Sequence, residues 1–209
     1  MQHASLAGAR LDRYYHVCAL FNDRDEEYRV LASFYREGLE WGEKALHIVH
    51  PEWEPEHVRR LEAHGIDTKA FIDRGQLELA SCYDLYLQNG TFDKDRMLRM
   101  VDAAIAAGKV AGFPRSRIMG NMGWVFENRP GSDQLIQYEV EVNEVLQRTQ
   151  QPAVCVYDVH QLTGSMMMDL LRAHPLTLVG GTVHENPFFT PPDVFLKELA
   201  RRRSARQAA

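Results

Sequence analysis

The sequence lacks a glycine-rich phosphate loop, and that absence narrows its function more than any other feature. Its first strongly apolar run, His16 to Phe21, passes directly into Asn22-Asp23-Arg24-Asp25-Glu26-Glu27. No glycine and no Lys-Ser/Thr pair occupies that turn, so backbone N–H groups are not freed to wrap a phosphate, and four carboxylates would repel one. Yet Leu31 to Pro51 reads as a helix, a Gly-containing turn and a buried strand, the unit that follows such a loop in nucleotide-binding α/β proteins. A nucleotide scaffold without its nucleotide site points to sensing or binding rather than phosphoryl transfer.

Cysteine is scarce. Cys18, Cys82 and Cys155 are odd in number, far apart and form no C-x-x-C pair, so no disulfide framework is expected and a reducing cytoplasm fits. No run of about 18 apolar residues and no basic-then-apolar leader is present, which argues against membrane spanning and secretion. Basic clusters are also missing. With a net charge of −5 the chain does not read as a direct nucleic-acid binder, and the one basic run, Arg201-Arg202-Arg203 with Arg206, reads as a solvated, frayed helix end. No Pro/Ser-rich linker, internal repeat or low-complexity stretch divides the chain. Its 209 residues, 45% apolar and 25% charged, suffice for one α/β core.

The periodicities place strands at His16 to Phe21, Ala45 to His50, Leu77 to Cys82, Arg117 to Val125, Ala153 to Val159 and Leu176 to Val179. Helices are expected after Asp23 or Asp25, over Pro55 to His64, Ile66 to Arg74, from Phe92 to the glycines Gly108 and Gly112, from Ser132 or Asp133 to Gln147, and over the Met-rich Gly164 to Ala173. A helical turn is expected at Asp84 to Asn89 and a final helix after the aromatic loop Asn186 to Pro192. Residues 1–13 read as a flexible lead-in, 14–199 as a single domain, and 200–209 as a basic tail. Strands alternating with helices predict a three-layer α/β fold, a mainly parallel sheet with helices on both faces.

Several phrases carry a family resemblance. Tyr15-His16-Val17-Cys18 is similar to a Gly-Asp-His-Ile/Val-Cys opening, with Tyr14 and Tyr15 in place of Gly and Asp. Glu37-Gly-Leu-Glu-Trp-Gly-Glu43, Gly65-Ile-Asp67, Gly75-Gln-Leu77, Phe92-Asp93 with Arg96-Met97, Cys155-Val-Tyr-Asp158 and His174-Pro175…Glu185-Asn186-Pro187 follow in order. Together, over residues 14 to 197, they resemble the MEDS domain, the sensory domain of dichloromethane-responsive repressors in methylotrophs and of regulators in methanogens. The resemblance implies a RecA-like domain acting as a cytoplasmic sensor of small hydrocarbon derivatives. Such sensors often adjoin a DNA-binding or kinase domain, for which this length leaves no room. The expected output therefore runs through a protein partner or self-association, a homodimer being the common default.

His16 and Cys18 lie two apart on one strand, so their side chains share a face; the resemblance makes them the leading ligand contacts. If their strand lies beside Ala153 to Val159, as in RecA-like sheets, Cys155 and Tyr157 approach them, and a ligand is expected at the carboxyl edge of the sheet. Asn121 stands where a RecA-type hydrolase would carry a metal-binding acid, and the adjacent glycines with Trp124 could wall a small apolar ligand. Against each stands a plain structural role: Cys is commonly core, and one Trp between glycines is commonly packing. Phe188 and Phe189 read as a lid, a partner surface or a fixed plug. The leading function is thus a non-enzymatic sensor with no cofactor and no metal. Two readings stay open beside it: a Cys/His redox or metal sensor or enzyme, its ion on His16, Cys18 and Cys155, and a residual nucleotide binder. His47, His50, His57 and His64 lack metal-ligand spacing.

Overall fold

A computed structural model describes residues 3–207. The strand β3 (His16–Phe21) is buried along its whole length, as a strand covered on both faces must be. It sits between β7 (Ala153–Asp158) and β8 (Leu176–Val179) in a sheet ordered β5-β4-β6-β7-β3-β8-β9, with β4 at Lys44–Val49, β5 at Leu77–Ser81, β6 at Ser116–Asn121 and β9 at Thr182–Glu185. All pairings in it are parallel except β8 with β9. The expected adjacency holds: Cys18 lies opposite Cys155, and His16 opposite Ala153.

The period of two divides the core. Cys18, Leu20, Ile48, Ile118, Cys155 and Tyr157 face α5 (Lys94–Val110) and α6 (Leu135–Thr149). Val17, Ala19, Phe21, Val154 and Val156 face α1 (Arg24–Glu40), with Leu61 of α2 (Glu54–Ala63) in the same cluster. A third cluster, Val140, Ala173 and Phe195, joins α6 to α7 (Gly164–Ala173) and α8 (Pro192–Gln207). The short helices α3 (Thr68–Asp73) and α4 (Cys82–Leu85) flank β5. Caps follow the sequence where an Asp precedes the helix: Asp23 accepts from Glu26 N at 2.8 Å and Asp93 from Arg96 N at 2.8 Å.

Four expectations are corrected. Residues 4–11 are not a flexible lead-in: β1 (Ala4–Leu6) and β2 (Ala9–Leu11) form a hairpin that buries Ala4, Leu6 and Leu11 and ties Ser5 N to Glu37 at 3.2 Å. The strand expected to reach Val125 ends at Asn121, whose Oδ1 takes Gly123 N at 3.0 Å and starts a 3-10 turn. Neither Ser132 nor Asp133 caps α6, which grows out of a 3-10 turn over those residues. The basic tail is not merely solvated, because α8 runs through it and Arg202 pairs with Asp169 at 2.8 Å and Glu198 at 2.5 Å.

Gly131 enters the turn before α6 at φ +83°, and a Cβ there would meet the Phe92 carbonyl oxygen at 2.0 Å. Both backbone strain and collision oppose a side chain. Gly131→Ala is expected to cost more than ~1 kcal/mol, read as a lowered urea midpoint at unchanged slope.

Candidate functional site

At the amino half of the sheet, four buried side chains converge from four places in the chain. His16 opens β3, Cys155 lies two residues into β7, Glu139 comes from α6, and His174 follows α7. Glu139 Oε2 is 3.2 Å from His16 Nε2, 3.4 Å from His174 Nε2 and 3.6 Å from Cys155 Sγ. His16 Nε2 is 3.4 Å from the same sulfur. Tyr157 donates its hydroxyl to Glu139 Oε1 at 2.5 Å. Asn143, one helical turn beyond Glu139, faces His16 Nδ1 at 3.2 Å. Among the described residues, His16, Glu139, Cys155 and His174 are the group whose donor atoms could share one metal ion.

Burial dominates the electrostatics. It lowers the His16 pKa, with His174 adding to the effect. It pushes the Cys155 thiol and the Tyr157 phenol well up, and the Glu139 charge pushes both further. Burial also opposes ionisation of Glu139, but when the rings beside it carry the extra proton, attraction to His174 and then the His16 hydrogen bond outweigh burial and hold the carboxyl below its ordinary range.

Two cavities flank this centre. At the amino edge an apolar vestibule of about 350 Å³ is walled by Tyr14, Tyr15, Leu146, Pro175, Phe189 and Pro192, and reaches His16 and Asn143. At the carboxyl edge a smaller cleft is lined by Asp23, Arg24, Glu27, Trp53, Asn121 and Tyr157 among others. There the N-terminal turn of α1 is already served by carboxylates, Asp23 on Glu26 N and Glu26 on Asn22 N at 2.9 Å. Arg24 lies 3.5 Å over the Trp53 ring.

The structure separates the expected site residues. His16, Cys155 and Tyr157 meet in the centre. Cys18 shares their face but stays in the apolar core, so the four-atom donor group does not include it. Asn121 lines the carboxyl-edge cleft. Trp124 is buried between Tyr86, at a centroid distance of 5.2 Å, and Phe92, at 4.8 Å. Phe189 lines the vestibule, 6.4 Å from Tyr14, whereas Phe188 is exposed. The expected placement of His16 and Cys155 near the carboxyl edge is corrected, since both lie toward the strand starts. Glu139, Asn143 and His174 escaped sequence reasoning. The available signal was a carboxylate and an amide four apart within the apolar stripe Leu135, Tyr138, Val142, Leu146.

The repressor named transcriptional repressor DcmR, from Methylorubrum extorquens, is 22% identical over 170 residues, which is 81% of this chain. The chain spans 61% of that repressor's length. A KaiC-like protein from the archaeon Pyrococcus horikoshii superposes with a TM-score of 0.55 at 12% identity, covering 78% of this chain and 69% of the other, and the fold is RecA-like α/β. Among the described residues, no helix is long and apolar enough to cross a membrane. The family model described as methanogen/methylotroph, DcmR sensory domain matches residues 15–175, and this chain belongs to that family, MEDS.

Proposed function

We propose that this regulatory sensory domain takes a small apolar molecule, of the size of a short hydrocarbon derivative, into the amino-edge vestibule, and signals through a protein partner or a second copy. The observation that carries this reading is an apolar cavity of about 350 Å³ whose polar wall includes the His16–Asn143 pair. A ligand there touches the segment leading into β3, α6 and the Phe189 loop at once, so binding one arrangement of these better than another shifts their balance. Three buried free cysteines fit a reducing cytoplasm. The cysteine-nucleophile reading gains no support from Cys155, whose thiol is held protonated by burial. Nor does a nucleotide gain a seat where carboxylates occupy the start of α1.

The test is thermal unfolding of the full chain with short haloalkanes, alcohols and glycols. At least one class is expected to raise the midpoint. Phe189→Ala is expected to weaken that ligand about tenfold, ~1.4 kcal/mol of lost contact. Asn121→Ala, at the opposite edge, leaves the affinity unchanged. A ligand sensitive to Asn121 and indifferent to Phe189 would move the site to the carboxyl edge and sink the proposal.

A further inference from the structure

We infer that His16, Glu139, Cys155 and His174 form a closed, four-coordinate site for a divalent ion of the zinc type. The tautomers carry the argument. Asn143 Nδ2 donates to the carbonyls of Glu139 at 2.9 Å, Val140 at 3.1 Å and Ala173 at 2.8 Å, so its Oδ1 is the acceptor facing His16. His16 Nδ1 must therefore donate. His174 Nδ1 likewise donates to the Leu170 carbonyl at 2.8 Å. In each neutral ring the remaining Nε2 is then a bare lone pair, and the two lie 3.2 and 3.4 Å from the same carboxylate oxygen. His174 Nε2 has no hydrogen-bond partner among the described residues.

Lone pairs converging on a buried carboxylate repel one another unless a cation joins them. The spacing suits one. Metal–nitrogen and metal–oxygen bonds of about 2.0–2.2 Å and a metal–sulfur bond of about 2.3 Å set tetrahedral edges of roughly 3.3–3.6 Å. Four of the six donor separations are 3.2, 3.4, 3.4 and 3.6 Å, and all the donor atoms lie within 4.8 Å of one another. Imidazole and thiolate select a zinc-type ion over calcium or magnesium, which take oxygen. On binding, the Cys155 S–H bond is replaced by a sulfur–metal bond and one proton leaves to solvent. Two neutral imidazoles, one carboxylate, one thiolate and a divalent cation then sum to zero charge, the condition for so buried a site. The outer contacts are those such ligands ordinarily have: Asn143 and the Leu170 carbonyl on the two Nδ1 protons, Tyr157 on the second carboxylate oxygen.

Four protein donors leave no open position, which makes the ion structural or regulatory. It would pin β3, α6, β7 and the start of β8 together, and Tyr15, Asn143 and Pro175, next to or bonded to its ligands, wall the vestibule. Its existence is independent of the sensory proposal; only its role in shaping the vestibule rests on that reading.

The experiment strips the full chain with a chelator and titrates Zn²⁺, then Co²⁺. Expected are one ion per chain by native mass spectrometry, release of about one proton per ion near pH 7, a raised melting midpoint and a thiolate-to-cobalt charge-transfer band. Cys155→Ser is expected to lose that band. Asn143→Ala, which among the four ligand side chains loses contact only with the His16 ring and also gives up three bonds to main-chain carbonyls, is expected to weaken affinity about 10–100-fold. If the stripped wild-type protein stays folded yet neither binds these ions nor shifts its melting, the centre is bridged by protons and the inference fails; retention of copper or iron alone would overturn the zinc assignment. A small molecule that stabilises the metal-free chain would keep the sensor and not the ion, and the reverse result would keep the ion and not the vestibule.

Discussion

Arg117→Ala is expected to lower the unfolding free energy by about 3–5 kcal/mol, the scale of breaking a buried ion pair from one side. Arg117 is 2% exposed on β6. Its Nε donates to Glu43 at 2.6 Å, another guanidinium nitrogen lies 2.9 Å from Glu37, and a third donates to the Phe34 carbonyl at 2.6 Å. The guanidinium also covers the Phe34 ring at 4.6 Å. Truncation removes a fork serving two carboxylates and leaves a void under α1. Arg115, 2.8 Å from Glu43, and Ser5, bonded to Glu37, keep some compensation and hold the loss within that range. Lysine cannot reproduce the fork, so Arg117→Lys is expected to recover only part of the loss. Gly38 must stay bare for the same reason, since its Cβ would lie 2.5 Å from Arg117 Nε. Urea unfolding followed by circular dichroism measures both variants. An Arg117→Ala protein within ~1 kcal/mol of wild type would show that the carboxylates are served without the arginine.

That network explains a phrase the sequence displayed but did not interpret. Glu37, Gly38 and Glu43 read as a turn after a helix; their partner, Arg117, lies 74 residues beyond Glu43 on a strand two positions nearer the sheet centre than β5. The same limit governs the centre. The β3–β7 pairing was legible because both segments are continuous apolar runs, and it brought His16 toward Cys155 and Tyr157. Glu139 and His174 enter only through the packing of α6 and α7 on that face, which local periodicity does not encode. Cys18 shares the parity of His16, yet one more step along the strand takes it into the apolar layer. The hairpin partner β9 is mostly exposed and shows no alternation to read. The strands within residues 4–11 are only three residues each, and the burial of Leu6 and Leu11 depends on a surface of α1 that forms elsewhere.

Glu27→Gln is expected to stabilise the protein by about 3 kcal/mol at pH 8 and to make no difference near pH 4. Glu27 is 6% exposed in the first turn of α1, and burial raises its pKa from 4.5 to about 7, against the pull of Arg24 and then Arg60. Between those values the folded chain binds more protons than the unfolded one. Wild-type stability therefore falls as pH rises through 4.5 to 7 and stays lower above it. Glutamine keeps the shape without the charge and escapes that loss. The neighbouring histidine pulls the other way. His57, bonded to Tyr28 and 2.9 Å from His47, is lowered from 6.5 to about 4 by burial and then by Arg24. Its contribution is complete above pH 6.5 and is lost as pH falls toward 4. In the wild-type protein the Glu27 slope opposes that of His57, to which the buried His16 and His47, also lowered by burial, add, so wild-type stability rises less steeply between pH 4.5 and 6.5 than that of Glu27→Gln. In Glu27→Gln the histidine arm is left alone, and stability climbs with pH over the same interval. Chemical denaturation at closely spaced pH values reads this directly. Parallel curves for the two proteins would mean that Glu27 ionises in the fold as it does in the open chain, and that the carboxyl-edge cleft is wetter than its geometry implies.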